Sequence, residues 1–364
     1  MADTRDTQNT QDCQESIIGA RKADHIALCA SGKVEFRQKG TLLDEVHLVH
    51  DALPERHVDS IDLGTTLLGH RLAAPVVVSG MTGGTPEARE INRDLARAAE
   101  ALGLAFGLGS QRAMVLRPDT AATYAVRDVA PTALVLGNIG LVQARDMSSS
   151  AIRELVDAVG ADALCVHLNP AMELIQPGGD RDFRGGLKVI ERLVADLPVP
   201  VVIKETGCGI SRSVARAVRA AGVTAIDVSG AGGTSWVGVE TERARGPERL
   251  LGDELWDWGI PTGASVGLSA DLGLEIIATG GLRSGSDVAR ALALGATAGG
   301  LAAPVLRARQ EGGYEGALAF LRHIVAGVRA LTFLAGCGSS AQLRSAPRVL
   351  GPTLRAWLEE AGRR

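Results

Sequence analysis

Short apolar runs recur along the chain, and an Ala- and Arg-rich stretch follows most of them. Eight runs are candidate strands: 75–79 (PVVVS), 104–108 (LAFGL), 133–138 (ALVLGN), 163–168 (ALCVHL), 200–205 (PVVIKE), 225–229 (AIDVS), 274–279 (LEIIAT) and 297–302 (TAGGLA). The stretches between them, such as EAREINRDLARAAEALG and RSVARAVRAAG, read as amphipathic helices. Strands that alternate with helices pair in parallel through right-handed crossovers. Eight such units in 364 residues predict an α/β fold, a TIM-type (β/α)8 barrel, with a doubly wound sheet as the other arrangement. The barrel strands cover 75–302, preceded by an N-terminal extension. The apolar segment 316–336 (GALAFLRHIVAGVRALTFLAG) forms a closing helix. Residues 1–16 are polar and are expected to form a disordered tail, leaving 17–364 as a single domain.

Composition narrows what that barrel can do. Hydrophobic residues make up 46% of the chain, enough for a sizeable core. Only 3% are aromatic, against 45 glycines, which suits tightly packed parallel strands and close backbone approach to a ligand. A net charge of −4 argues against binding nucleic acid or a membrane surface through bulk charge, so any anion must be held by local groups. The five cysteines lie far apart without CxxC or metal spacing, and Cys165 falls within an apolar strand, as a core thiol would. No charge-free apolar run approaches ~20 residues, and the first residues lack a signal-peptide pattern; both point to a cytoplasmic protein.

The strand ends carry the chemistry. In an eight-stranded parallel barrel the site gathers at the C-terminal ends of the strands. Here these read SGMTGG (79–84), GLGSQR (107–112), GNIG (137–140), CVHLNPAMELIQPGGDRDF (165–183), KETGCG (204–209), SGAGGTSW (229–236), TGGLRSG (279–285) and LAAP (301–304). Any one glycine-rich end suits a tight strand-to-helix turn. Eight on one face make a site for a large polar ligand, because backbone N–H groups reach a phosphate where no Cβ intervenes. TGGLRSG and LAAP stand where barrels hold a phosphate, between the seventh and eighth loops and a helix N-terminus. Lys204 ends an apolar strand and needs an anionic partner: either Glu205 in a salt bridge, or an anionic cofactor ring whose electronics it would tune.

Together, RKADH (21–25), MTGG, GLGSQR, HLN…ME…GDRDF, VSGAGGTSW and WGIPT, in that order, resemble the type 2 isopentenyl diphosphate isomerases, an FMN-dependent family of the flavin-barrel superfamily. The resemblance runs to APRVL near the C-terminus. It implies a barrel that binds FMN and Mg²⁺ and interconverts isopentenyl and dimethylallyl diphosphate. By resemblance, Met81, Thr82, Gly83, Ser110, Asn138, Lys204, Ser229 and Thr234 line FMN. Gly281, Arg283, Ala302 and Ala303 hold its phosphate end. Arg21, Lys22, Ser110, Gln111, Arg112, His167 and Asn169 bind the prenyl diphosphate, Glu173 binds Mg²⁺, and Lys204 and His167 serve catalysis. The net reaction is redox-neutral yet requires reduced FMN, with NADPH as the flavin reductant. The family forms homo-oligomers, tetramers or octamers, and the resemblance implies neither a nucleic-acid nor a membrane partner.

Two positions depart from the family pattern. Met172 stands where the family usually has Gln, a candidate proton-transfer partner, and a thioether has no proton to give. If the flavin does the proton work, Met172 lines an apolar prenyl pocket. If the glutamine is required, the chain is a slow isomerase or takes another prenyl diphosphate, unless Gln176 fills the gap. At Cys208, where an aromatic or other apolar residue is common, only a packing change is expected. An α-hydroxyacid oxidase on the same barrel would need a His base shortly before the arginine near strand seven, and ATGGLRSG has none. A flavin-binding pseudoenzyme is the reading from a different class; Met172 favours it, and Glu173, His167 and the basic pair count against it.

Overall fold

In the computed structural model, which describes residues 24–363, the eight apolar runs become eight parallel strands closed into a barrel. They are β1 (Val76–Val78), β2 (Ala105–Gly107), β3 (Val135–Gly140), β4 (Ala163–Leu168), β5 (Val201–Glu205), β6 (Ala225–Asp227), β7 (Glu275–Ala278) and β8 (Ala298–Leu301). Each strand pairs with the next in sequence, and β8 pairs back onto β1, which rules out the open doubly wound sheet. The tail 1–16, Cys13, Arg21 and Lys22 lie outside the described residues.

Side chains alternate between the barrel interior and its helical coat, as the strand repeat requires. Val77, Ala105, Leu136, Ala163, Cys165, Val202, Ala225, Ile277 and Ala298 form the inner cluster, confirming Cys165 as core. Val76, Phe106, Val135, Ile203 and Ile226 belong to the larger cluster packed under the helices. Four alanines among those inner positions explain how a barrel is filled with so few aromatic residues. The N-terminal extension adds a hairpin, Thr65–Leu67 with His70–Leu72, and its Leu67 and Leu72 pack into the inner cluster as a plug. Leu68 and Gly69 turn the hairpin with φ of 51° and 80°, and the Leu68 N–H donates to Glu275 Oε2 at 2.7 Å.

The helices begin where short polar side chains can cap them. Thr85 accepts from Ala88 N–H ahead of Pro86–Ala101, Ser211 does the same for Arg212–Ala220, and Ser284 with Asp287 forms a capping box for Gly285–Leu294. Each cap contributes about 1 kcal/mol. After β8 a helix runs from Ala303 to Leu334, broken at Gly312 and Gly313, so the expected closing helix is its second limb. Gly313, at φ 61° and ψ −149°, holds a conformation essentially confined to glycine. By length and composition this helix is apolar enough to cross a membrane, although Arg322 and Arg329 interrupt its apolar run, and Val305, Leu318, Leu321, Ile324 and Val328 are buried against the rest of the protein. Strand Val46–Leu48 pairs antiparallel with Arg348–Leu350 and ties the two extensions together.

Candidate active site

The strand ends open into one cleft with about 1830 Å³ of empty space, its solvent-filled mouth included. Its wall is built strand by strand. Met81 and Thr82 come from the β1 end, Ser110 and Arg112 from β2, and Asn138 from β3. The β4 end supplies His167, Asn169, Met172 and Glu173, and β5 supplies Lys204. Ser229 and Thr234 follow β6, Gly281 and Arg283 follow β7, and Ala302 and Ala303 follow β8. Sixteen expected residues thus meet in one place.

Two expected residues stand outside that wall. Gln111 is fully buried and turned away: its Nε2 donates to Leu155 O at 2.8 Å, and its Oε1 accepts from Asn138 N–H at 2.9 Å. It fastens β3 to the helical layer, so its side chain does not line the cleft. Gly83 backs onto Tyr124, whose ring would lie 1.9 Å from an added Cβ, so its smallness serves packing.

Lys204 does not pair with Glu205. Neighbouring residues on a strand face opposite ways, so Glu205 turns outward and accepts the N–H groups of Thr206, Gly207 and Cys208 at 2.5–2.7 Å. The Lys204 ammonium meets Asp227 Oδ2 instead, at 2.8 Å, across the β5–β6 pairing.

His167 is held by Asn138. The Asn138 Nδ2 donates to Leu108 O at 3.1 Å, which leaves Oδ1 as the acceptor 2.8 Å from His167 Nδ1. His167 therefore carries its proton on Nδ1 and presents Nε2 as an acceptor. Burial, reinforced by the nearby Lys204 and Arg112 charges, holds its pKa down at about 4.

Glu173 is 5% exposed and accepts from Asn169 Nδ2 at 2.8 Å, Asp180 N–H at 2.8 Å and Gln176 Nε2 at 3.3 Å. All three donors are neutral, and among the described residues no Lys, Arg or His forms an ion pair with it. A buried carboxylate without a counter-charge is suited to a cation, and one of its roughly four lone-pair sites remains for a metal. No group of three or more His, Cys, Asp or Glu side chains converges among the described residues. A metal here would draw its other ligands from substrate and water, as Mg²⁺ commonly does.

At the opposite wall, Gly281 has a φ of 79°, and the helix that begins at Ala303 has no side-chain cap. Pro304 carries no N–H and the Val305 and Leu306 N–H groups donate to Ala302 O, which leaves the Ala303 N–H as the donor at the helix start. Arg283 donates to the Gly281 and Gly232 carbonyls and to Glu35, which also receives Arg307. Burial pushes the Glu35 carboxyl up, but the hydrogen bonds from the two arginines outweigh it and hold the group below its usual range.

The comparisons with known proteins agree with this geometry. The chain matches the FMN-dependent dehydrogenase family over residues 15–173 and 183–349. It is 45% identical to the isopentenyl-diphosphate delta-isomerase of Methanothermobacter thermautotrophicus, covering 95% of this chain and 97% of that one. The enzyme of the same name from a Synechococcus strain is 46% identical, covering 93% and 98%. The chain belongs to the isopentenyl-diphosphate delta-isomerase family. Among solved structures, a mandelate oxidase with (S)-mandelic acid superposes with a TM-score of 0.63 at 23% identity, covering 91% of this chain and 94% of that one, and so shares the barrel fold.

The residues present fit the flavin mononucleotide of this isomerase family. Ser79 Oγ and Thr82 Oγ1 are buried at the cleft wall with no hydrogen-bond partner among the described residues, as groups awaiting a ligand would be. The uncapped helix start and the Gly281 turn suit its phosphate. Sequence reasoning missed Asp227, Glu35 and Gln143, all close to site residues. Asp227 had left a signal, a lone acid inside the apolar run AIDVS. Glu35 gave none, because its partners lie more than two hundred residues away.

Proposed function

We propose that this member of the isopentenyl-diphosphate delta-isomerase family interconverts isopentenyl and dimethylallyl diphosphate, with FMN in its reduced state, Mg²⁺, and NADPH as the flavin reductant. One observation supports this above the rest. The same cleft joins an uncompensated buried carboxylate, near Arg112 and His167, to a glycine-rich turn and uncapped helix start on the far wall. The first suits a metal-bound diphosphate and the second a flavin phosphate.

The reaction adds a proton to the terminal alkene carbon and removes one from the carbon nearer the diphosphate, so no electrons are gained or lost overall. Bound reduced flavin supplies an electron-rich ring with a nitrogen able to carry a proton. Glu173 would hold Mg²⁺, which would supply positive charge to the diphosphate, and Arg112 would add charge-assisted donors. Arg21 and Lys22 belong to this diphosphate site by family resemblance. Asn169 orients the Glu173 carboxylate. Lys204 places a positive charge where the ring is read to lie, favouring its anionic form. Met172 and Trp236 supply apolar wall, which keeps water from an electron-deficient carbon.

A titration tests the reading without turnover. In the FMN-loaded protein, isopentenyl diphosphate should perturb the flavin absorbance strongly with Mg²⁺ and weakly without it. A spectrum indifferent to both would contradict a shared flavin and diphosphate site.

A further inference from the structure

Asp227 is a buried carboxylate behind the wall of the reaction cleft, bonded to the wall residues Lys204, Ser229 and Thr279, and the steps above give it no part. It stands on β6 directly opposite Lys204 on β5 and is only 5% exposed. Its side chain accepts three hydrogen bonds. Lys204 Nζ donates to Oδ2 at 2.8 Å, while Oδ1 takes the Ser229 N–H at 3.2 Å and a short bond from Thr279 Oγ1 at the β7 end. Ser229 has a φ of 34°, in the left-handed region that is costly for a residue with a side chain. One carboxylate therefore fixes an ammonium, a hydroxyl and the turn that opens the SGAGG loop.

The ammonium is not consumed by this pair. Lys204 has three N–H donors, and Asp227 takes the one for which a partner is found among the described residues. The side chain lines the cleft, where the other two can meet a ligand. A lysine on its four-carbon stem is otherwise a mobile point charge, and the Asp227 anchor removes that freedom. The carboxylate also offsets part of the field that the ammonium projects into the cleft. A buried ion pair is weak evidence for stability, since apolar residues of similar size commonly serve as well. Its placement at the catalytic end of the barrel calls for another account.

We propose that Asp227 is a positioning residue for the isomerase reaction: it sets where the Lys204 ammonium stands against the flavin ring and how much net positive charge the ring faces. This rests on the reading that Lys204 faces the flavin.

The test uses the FMN-loaded protein. Lys204→Met comes first and should lower the flavin midpoint potential and shift the reduced-flavin spectrum. No change in either would overturn the placement of Lys204 and the proposal with it. Given that shift, Asp227→Asn should raise the potential, because the ammonium loses its counter-charge. The same variant should lower kcat by about ten- to a hundredfold, the scale of a misplaced catalytic group. KM for isopentenyl diphosphate should stay within about threefold, because ground-state substrate binding is untouched. An Asn variant that loses stability or FMN occupancy while its flavin-loaded fraction keeps wild-type potential and kcat would make Asp227 a strand pin and overturn the proposal. If Asp227→Asn does not fold, Asp227→Glu decides. It keeps the charge and shifts the anchor by one methylene, so kcat should fall by about tenfold with the potential near wild type. A wild-type kcat in that variant would overturn the positioning role.

Discussion

Met172 and His167 turn general chemistry into tests at single positions. Met172 lies in the cleft wall with its sulfur 3.9 Å from Asn169 Nδ2, and the neighbouring Gln176 amide is engaged with Glu173. Neither side chain is free to take over proton transfer, so the account assigns that work elsewhere. Met172→Gln should therefore leave kcat within about tenfold of wild type, a change of little more than 1 kcal/mol in the barrier. A gain of several orders of magnitude in steady-state rate would mean that the methionine had crippled the enzyme. Glu173→Gln should lower kcat/KM by about a hundredfold or more and abolish the Mg²⁺ response, both read by titrating the metal in the assay. For His167, burial lowers the pKa to about 4 from an ordinary 6.5. The folded protein then binds fewer protons than the unfolded chain between those values. Its stability should be full above about pH 6.5 and decline as the pH falls towards 4. Melting temperatures across that range should show the decline, and His167→Gln should flatten it.

The hairpin plug and the strand ends are where elements decide the outcome. Leu67 and Leu72 seal the N-terminal end of the barrel, and neither lines the cleft at the strands' C-terminal ends. Leu67→Ala should cost about 2–5 kcal/mol, read by urea denaturation, with kcat unchanged in the folded protein. A loss of kcat at full folding would show that the plug reaches the site. The strands were legible because their apolar runs are short, buried on both faces and separated by capped helices, and every boundary was read to within two residues. The hairpin was not, because Leu67 and Leu72 are too few to make a period against polar neighbours. Gln111 misled for a related reason: GLGSQR marks the right loop, but direction depends on backbone rotation at a strand end. Of the two alternatives for Lys204, the Glu205 salt bridge fails for the same reason: Glu205 faces away, and the ammonium's partner lies one strand over.

For the molecule as a whole, the cleft is the common product of all eight strands, so occupancy there should stabilise the entire fold. Free FMN at about a hundred times its dissociation constant should add about 2.7 kcal/mol of stability, read as a rise in melting temperature of the flavin-free protein. The residues that build the cleft announced themselves as glycine-rich and polar strand ends; the contacts that hold them in place, Asp227 on Lys204 and Glu35 on Arg283 and Arg307, emerge only once the chain is closed into a barrel. The most direct measurement is the reaction itself. Purified protein would be reduced anaerobically with FMN and NADPH, given Mg²⁺ and isopentenyl diphosphate in D₂O, and followed by NMR. Dimethylallyl diphosphate carrying deuterium, formed only while the flavin is reduced, is the predicted result. A folded, flavin-loaded protein that leaves isopentenyl diphosphate unconverted would contradict the account.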